Sequence, residues 1–195
     1  MATGQTTLRL GRADEGRLLT AEEFADASYD EPWKYERVDG RLVVMVPDSE
    51  AHDDTSEPWR DQLAVYKVGH PGIVEKVVSE AWLLISDQID RIGDIGVFLR
   101  PTDGSTPPPR PGRVPELMFE IVSPEAKDRR RDYVEKKAEY HAVGVREYVV
   151  IDRFQKKVTV FTYEPTGYRE RVLTGSDVYE TPLLPGFRVA LDDVF

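Results

Sequence analysis

The stretch Val114-Pro-Glu-Leu-Met-Phe-Glu120-Ile-Val-Ser-Pro124 decides the fold, because five apolar residues enclose one carboxylate and a proline then stops the run. A strand of that composition is buried, and a charge near its end needs a partner. The segment Glu125-Ala-Lys-Asp-Arg-Arg-Arg-Asp132 follows, leading into a helical run through Lys136 and Tyr140. That run stops at Gly144, which suits the left-handed turn after a helix. Arg146–Ile151 is again strongly apolar. A helix that follows a strand packs back across it, so Lys136 can approach Glu120.

Upstream, Asp94 opens another apolar run, Asp94-Ile-Gly-Val-Phe-Leu99. Two carboxylates on neighbouring strands can converge on one cation, and a lysine beside them can orient a water or offset charge on a phosphate. Asp94, Glu120 and Lys136 are therefore the candidate catalytic set of a divalent-metal phosphodiesterase. The bland alternatives are a turn cap at Asp94 and a metal-free ion pair between Glu120 and Lys136.

Composition narrows the chemistry. The 195 residues suffice for one domain with a core. Cysteine is absent, and His52, His70 and His141 are widely spaced, which excludes disulfides, thiolate ligands and a structural zinc site. A metal here is oxygen-bound, so Mg²⁺ or Mn²⁺ is expected. The formal charge of −10 argues against broad nucleic-acid binding, yet Lys127 to Lys137 holds six basic and three acidic residues. No apolar run reaches membrane-spanning length and no signal-peptide core precedes residue 17, so a cytoplasmic location without membrane contact is expected.

Residues 1–17 are polar and predict a frayed arm, with a single domain over 18–195. Thr20-Ala-Glu-Glu23 reads as a capping box opening a short helix over 20–27. Asp39-Gly40 between β-rich segments predicts a tight hairpin. His52–Gly69 reads as helical, with Pro58 assigned to its first turn and Trp59, Leu63 and Tyr66 on one face. Strands are expected over Ile73–Ser79 and Ala81–Ile85 and from Asp94. Residues 101–115, with six prolines, predict an exposed proline-rich loop. Lys156–Tyr163 and Tyr168–Leu173 alternate as an outer antiparallel pair, and the C-terminal Leu183–Val189 packs back on the sheet. The fold class is α/β (α+β): a mixed central sheet flanked by helices, with additional antiparallel outer strands.

The pattern Asp94…Glu120-Ile-Val-Ser-Pro124…Arg131-Asp132…Glu135-Lys136…Tyr140…Gly144-Val-Arg-Glu-Tyr-Val-Val-Ile-Asp152 resembles the Uma2 family of restriction endonucleases, within the PD-(D/E)XK nuclease superfamily. Thr20-Ala-Glu-Glu-Phe24, Tyr35-Glu-Arg-Val-Asp-Gly40 and His52 extend the resemblance to roughly residues 18–190. It implies a restriction endonuclease-like core, metal binding by Asp94, Glu120 and the Ile121 backbone carbonyl, and Glu36 as an accessory acid. Two departures stand out. Gly93 takes the place of the superfamily's proline, and Val122 stands where a lysine follows the glutamate. Lys136 is the replacement that the resemblance implies.

Other residues carry weaker signals. Glu116 shares a strand face with Glu120 by period two. Tyr140 lies on the Lys136 face of the helix, and His52 stands near a helix start. Each is a possible accessory group, and each has an ordinary structural reading as a surface acid, a packed helix residue or a cap. Arg129, Arg130 and Arg131 read as a solvated run or as phosphate contacts. Trp33, Trp59 and Trp82 read as core anchors.

The leading expectation is a metal-dependent endonuclease acting on nucleic acid, DNA first. A catalytically silent nucleic-acid-binding or regulatory module of the same fold is the first alternative, and a protein-interaction domain using the proline loop is the second. The outer strands offer an edge for a homodimer.

Overall fold

The computed structural model of the chain describes residues 7–106 and 112–195 and, of residues 126 and 127, the backbone alone. Along the chain run β1 (Arg9–Leu10), α1 (Ala21–Asp26), β2 (Ser28–Tyr29), β3 (Lys34–Val38), β4 (Arg41–Met45), α2 (Glu50–Gly69), β5 (Val74–Ser86) and β6 (Ile89–Leu99). Then come β7 (Leu117–Ile121), α3 (Ala126–Arg130), a π-helical turn (Arg131–Lys136), α4 (Lys137–Val143), β8 (Glu147–Asp152), β9 (Lys157–Glu164), β10 (Gly167–Thr174), β11 (Val178–Glu180) and β12 (Arg188–Ala190). The chain gathers into two compact units, one of residues up to 48 together with 82–92, the other of 49–81 and 93–195.

In the first unit, the predicted capping box is present: Glu23 N–H donates to Thr20 Oγ1 (3.1 Å) and Thr20 N–H to Glu23 Oε2 (2.8 Å). The β3–β4 hairpin turns at Asp39 and Gly40, both at positive φ (51° and 70°), as a primed two-residue turn requires. Leu10, Leu19, Phe24, Tyr35 and Leu42 form its core, with Trp33 and Trp82 packed against them. Residues 7–17 correct the expectation of a frayed arm. Leu10 is fully buried, β1 pairs in parallel with β2, and Asp14 caps its own turn by accepting from Gly11 N–H at 2.9 Å. Residues 1–6 lie outside the described residues.

The second unit is built on a mixed sheet in the order β10-β9-β8-β7-β6, with β7 and β8 parallel and the other pairs antiparallel. Alternation sorts its side chains. Ile95, Val97, Leu117, Phe119, Ile121, Val149 and Ile151 join Trp59, Leu63 and Tyr66 of α2 in one core, with Trp59 and Phe119 ring centroids 5.9 Å apart. The intervening positions, Asp94, Met118, Glu120 and Tyr148, belong to the opposite face by period two. The helical stretch after β7 lies there: Tyr140 packs edge-on against Tyr148 (5.1 Å), whose hydroxyl donates to the Asp132 carbonyl (3.0 Å).

The C-terminal segment joins the α2-side core through Leu184, Phe187 and Val189, as expected. It is also tied to the sheet by a polar knot that the sequence did not announce. Buried Glu147 accepts from Tyr179 (2.7 Å), Thr181 (3.2 Å) and Thr162 (3.3 Å).

Three expectations about elements are corrected. Pro58 lies inside α2 rather than in its first turn, because Ser49 caps the helix nine residues earlier. The carbonyl that Pro58 leaves without its helical donor belongs to Asp54, on the solvent side with Asp53 and Glu57, where water can serve it. The two expected strands 73–79 and 81–85 are one strand, β5, with Glu80 at φ 51° absorbing the irregularity that broke the pattern. β6 begins at Ile89, five residues before Asp94. Of the proline-rich loop, residues 107–111 lie outside the described residues. Its far end is anchored by Arg113, which donates to Glu75 Oε2 and to the Leu99 carbonyl, both at 2.8 Å.

Candidate active site

β6 and β7 bring the two carboxylates together. Their register pairs Ile95 with Phe119 and Gly96 with Met118, and one further step sets Asp94 opposite Glu120. Asp94 Oδ2 accepts the Ile121 N–H at 2.7 Å and lies 3.2 Å from His52 Nε2 at the start of α2. Gly93 makes this approach possible. A Cβ there would sit 2.2 Å from Met118 Sδ and 3.2 Å from Glu120 Oε1, so a side chain at this position fits only if Met118 moves.

Glu120 is 3% exposed, and its Oε1 receives both Lys136 Nζ (2.8 Å) and the Tyr140 hydroxyl (2.7 Å). Lys136 and Tyr140 reach it from one helical face, four residues apart, and both are buried. One turn earlier, Asp132 is also fully buried. Its Oδ1 accepts from Arg131 Nε at 3.0 Å, while its Oδ2 has no hydrogen-bond partner. The turn joining these residues is π-helical, a register that recurs at functional sites because the extra residue re-aims the side chains.

The electrostatics separate the three acids. Burial pushes Asp94 up, but the His52 bond and charge, the Lys136 charge and the Ile121 N–H outweigh it, so its carboxyl is held below the usual range. Burial pushes Glu120 up to about 8; Lys136 offsets only part of that, and the charges of Asp94 and Asp132 add to it. Burial likewise raises Asp132 against the pull of Lys136 and Arg131. An ionised acid beside a proton-holding one is a common arrangement of a reactive or metal-binding centre.

Asp94, Glu120 and the Ile121 carbonyl offer oxygen donors and no sulfur, which suits a hard divalent cation, and Asp132, whose buried Oδ2 has no partner, lies on the helical stretch that carries Lys136. Among the described hydrogen bonds, those at Asp94 converge on Oδ2 and those at Glu120 on Oε1.

The remaining predicted residues fall in several places. His52 joins Asp94, and Tyr140 joins Glu120, as described. Glu116 does not join them; its carboxylate accepts the Leu99 N–H (2.7 Å) at the other end of β6. Glu36 is fully buried in the first unit, where it accepts from Arg91 Nη1 (2.8 Å) and Ile92 N–H (3.1 Å). Arg129 is paired with buried Asp152, and Arg131 with Asp128 and Asp132, which leaves them engaged within the protein. Arg130, 75% exposed at its side chain, touches only Glu135 among the described ion pairs, at 3.4 Å. Val122 is fully buried. Asp132 is a site acid that the sequence pattern does not single out, although its four-residue spacing to Lys136 and Tyr140 is a signal for it.

A mixed sheet with two facing acids and a helix laid across them is a nuclease-like architecture, and a solved structure bears this out at the level of fold. The chain is similar to a putative nuclease from Anabaena variabilis, with 18% identity over 91% of this chain and 97% of that one, at a TM-score of 0.70. The Uma2 family, described as putative restriction endonucleases, matches residues 21–192, and the chain belongs to it. No curated protein matches the chain. The expected restriction endonuclease-like fold is thereby borne out.

Proposed function

We propose that the protein is a metal-dependent endonuclease that hydrolyses phosphodiester bonds of nucleic acid, with duplex DNA as the substrate. The supporting observation is the pairing of half-buried Asp94 with buried Glu120 on adjacent strands, with Lys136 from the overlying helix bonded to Glu120. Asp94, Glu120 and the Ile121 carbonyl would hold Mg²⁺ or Mn²⁺, which when bound supplies Lewis-acid polarisation of the phosphate and a more acidic water. His52 and the Ile121 N–H fix the Asp94 carboxylate from two sides. Lys136 lies within hydrogen-bond reach of Glu120, where an ammonium can orient a water or offset charge on a phosphate oxygen. Tyr140 holds Glu120 Oε1 and so limits how that carboxylate turns. Arg130 is a phosphate contact in this reading.

The test is calorimetric titration of Mn²⁺ into the wild type and Asp94→Asn, followed by plasmid cleavage in Mg²⁺. Asparagine keeps an oxygen to accept the Ile121 N–H, so the variant retains the strand contact. Saturable binding and cleavage in the wild type, both lost in the variant, are expected. Cleavage by Asp94→Asn at the wild-type rate would refute the assignment, and a wild type that binds no Mn²⁺ would favour the silent nucleic-acid-binding module. We further propose a homodimer through the edge strand β10, for which sedimentation at micromolar concentration should give twice the monomer mass of 22.2 kDa.

A further inference from the structure

We propose that Asp132 is a positioning residue for Lys136: its unpartnered Oδ2 is the second acceptor for the Lys136 ammonium, used when Glu120 is engaged by a cation. The inference rests on the metal-site reading above and adds to it the place where the lysine goes.

The observations come from three directions. Asp132 is completely buried, yet one of its oxygens has no hydrogen-bond partner. A buried carboxylate oxygen without a partner is costly, so its persistence calls for a role in another state of the site. Its spacing supplies the role. Asp132, Lys136 and Tyr140 recur at four-residue steps through the π-helical turn, all on the buried face, where a helix ordinarily places apolar residues. The Lys136 charge also acts on Asp132 as well as on Glu120, which sets the ammonium within electrostatic reach of both acids.

The chemistry then requires a second acceptor. Lys136 Nζ is bonded to Glu120 Oε1. A cation held by Asp94 and Glu120 would repel that ammonium, and a buried lysine whose counter-charge is taken would lose its proton or its place. Asp94 is no refuge, because the same cation occupies it and its Oδ2 already holds Ile121 N–H and His52. Asp132 is outside the proposed ligand set. Its Oδ1 is fixed by Arg131, which leaves Oδ2 as a stationary acceptor one helical turn from Lys136.

Four proteins test this: wild type, Asp132→Asn, Lys136→Met and the double variant. In Mg²⁺, Asp132→Asn should lower the urea midpoint, and that loss should at least halve in the Lys136→Met background, whereas in EDTA the two losses should add. The Lys136 ammonium resonance of ¹⁵N-lysine-labelled protein in Mg²⁺, assigned by its disappearance in Lys136→Met, should shift in Asp132→Asn. With Mn²⁺, Asp132→Asn should weaken binding about tenfold, and the loss should vanish when Lys136 is methionine. Additive urea losses in Mg²⁺, or a resonance unmoved in Mg²⁺, would overturn the pairing. An equal loss of Mn²⁺ affinity in both backgrounds would also overturn it, since Asp132 would then act on the cation directly. A wild type that takes up no Mn²⁺ would refute the nuclease reading and the relay with it, whereas a wild type that binds Mn²⁺ with Asp132→Asn unchanged would refute the role of Asp132 alone.

Discussion

At the scale of single residues, Glu120 is where burial and chemistry conflict most directly. Its carboxyl is raised from 4.5 to about 8 by burial, with Lys136 restoring only part of the difference. A group whose pKa is higher in the folded state stabilises the fold fully below its ordinary pKa and loses that contribution as pH rises through the shifted value. Metal-free wild type is therefore expected to lose melting temperature relative to Glu120→Gln between pH 4.5 and about 8, and no further above that. Each pKa unit is worth about 1.4 kcal/mol, and each kcal/mol moves Tm by roughly 2–4 °C in a chain of this size. Scanning calorimetry in EDTA at pH 5 and pH 8.5 should show the gap change by several degrees; a constant gap would mean that Glu120 ionises normally. Gly93 is constrained by space alone. A Cβ there meets Met118 Sδ at 2.2 Å inside a filled region, so Gly93→Ala should destabilise by about 1–3 kcal/mol in urea titration. A shift below about half a kcal/mol would show that Met118 yields freely.

At the scale of elements, α2 carries a removable defect. Pro58 deprives the Asp54 carbonyl of its helical donor and lies well past the cap at Ser49. Pro58→Ala should therefore stabilise the protein by about 1 kcal/mol, less than the roughly 3 kcal/mol of an unadapted helix because the exposed carbonyl is hydrated. Thermal melts decide it, and a lower Tm would mean that the Pro58 ring is needed for packing. This proline also marks the limit of what the sequence made legible. The apolar spacing of Trp59, Leu63 and Tyr66 identified the helix and its buried face, but proline chemistry alone misplaced its start, because Ser49 was not weighed as a cap. The capping box at Thr20 and the Asp39-Gly40 turn were readable because their geometry is local. The fusion of two expected runs into β5 was not, since a single positive φ at Glu80 mimics a strand break. Site acids followed the same rule. Asp94, Glu120 and Lys136 sit at the ends and faces of periodic elements, whereas Asp132 hid inside a run of arginines that read as solvated charge.

At the scale of the whole molecule, the proposed function sets a chain of net charge −10 against a polyanion. The basic run that seemed to answer this is mostly spoken for: Arg129 holds buried Asp152, and Arg131 holds Asp128 and Asp132. Arg130 is exposed. A duplex laid on this run would therefore find few free cations among its described arginines, and divalent metal would supply much of the attraction there. Because log K falls with log salt by about 0.9 per phosphate neutralised, anisotropy of a fluorescent phosphorothioate duplex in Mn²⁺ should give a slope shallower than about −3, with binding lost in EDTA. Arg130→Ala should reduce the slope by about one. Arg129→Ala is expected to leave the slope alone and instead lower stability by about 1–3 kcal/mol, because it strips a charged partner from buried Asp152. The two arginines are neighbours in sequence, so the contrast separates phosphate contact from internal fastening better than either variant could alone. A slope of about −6 or steeper, indifferent to Mn²⁺ and to Arg130, would place the nucleic-acid surface elsewhere and remove the acidic centre from the path of the phosphate.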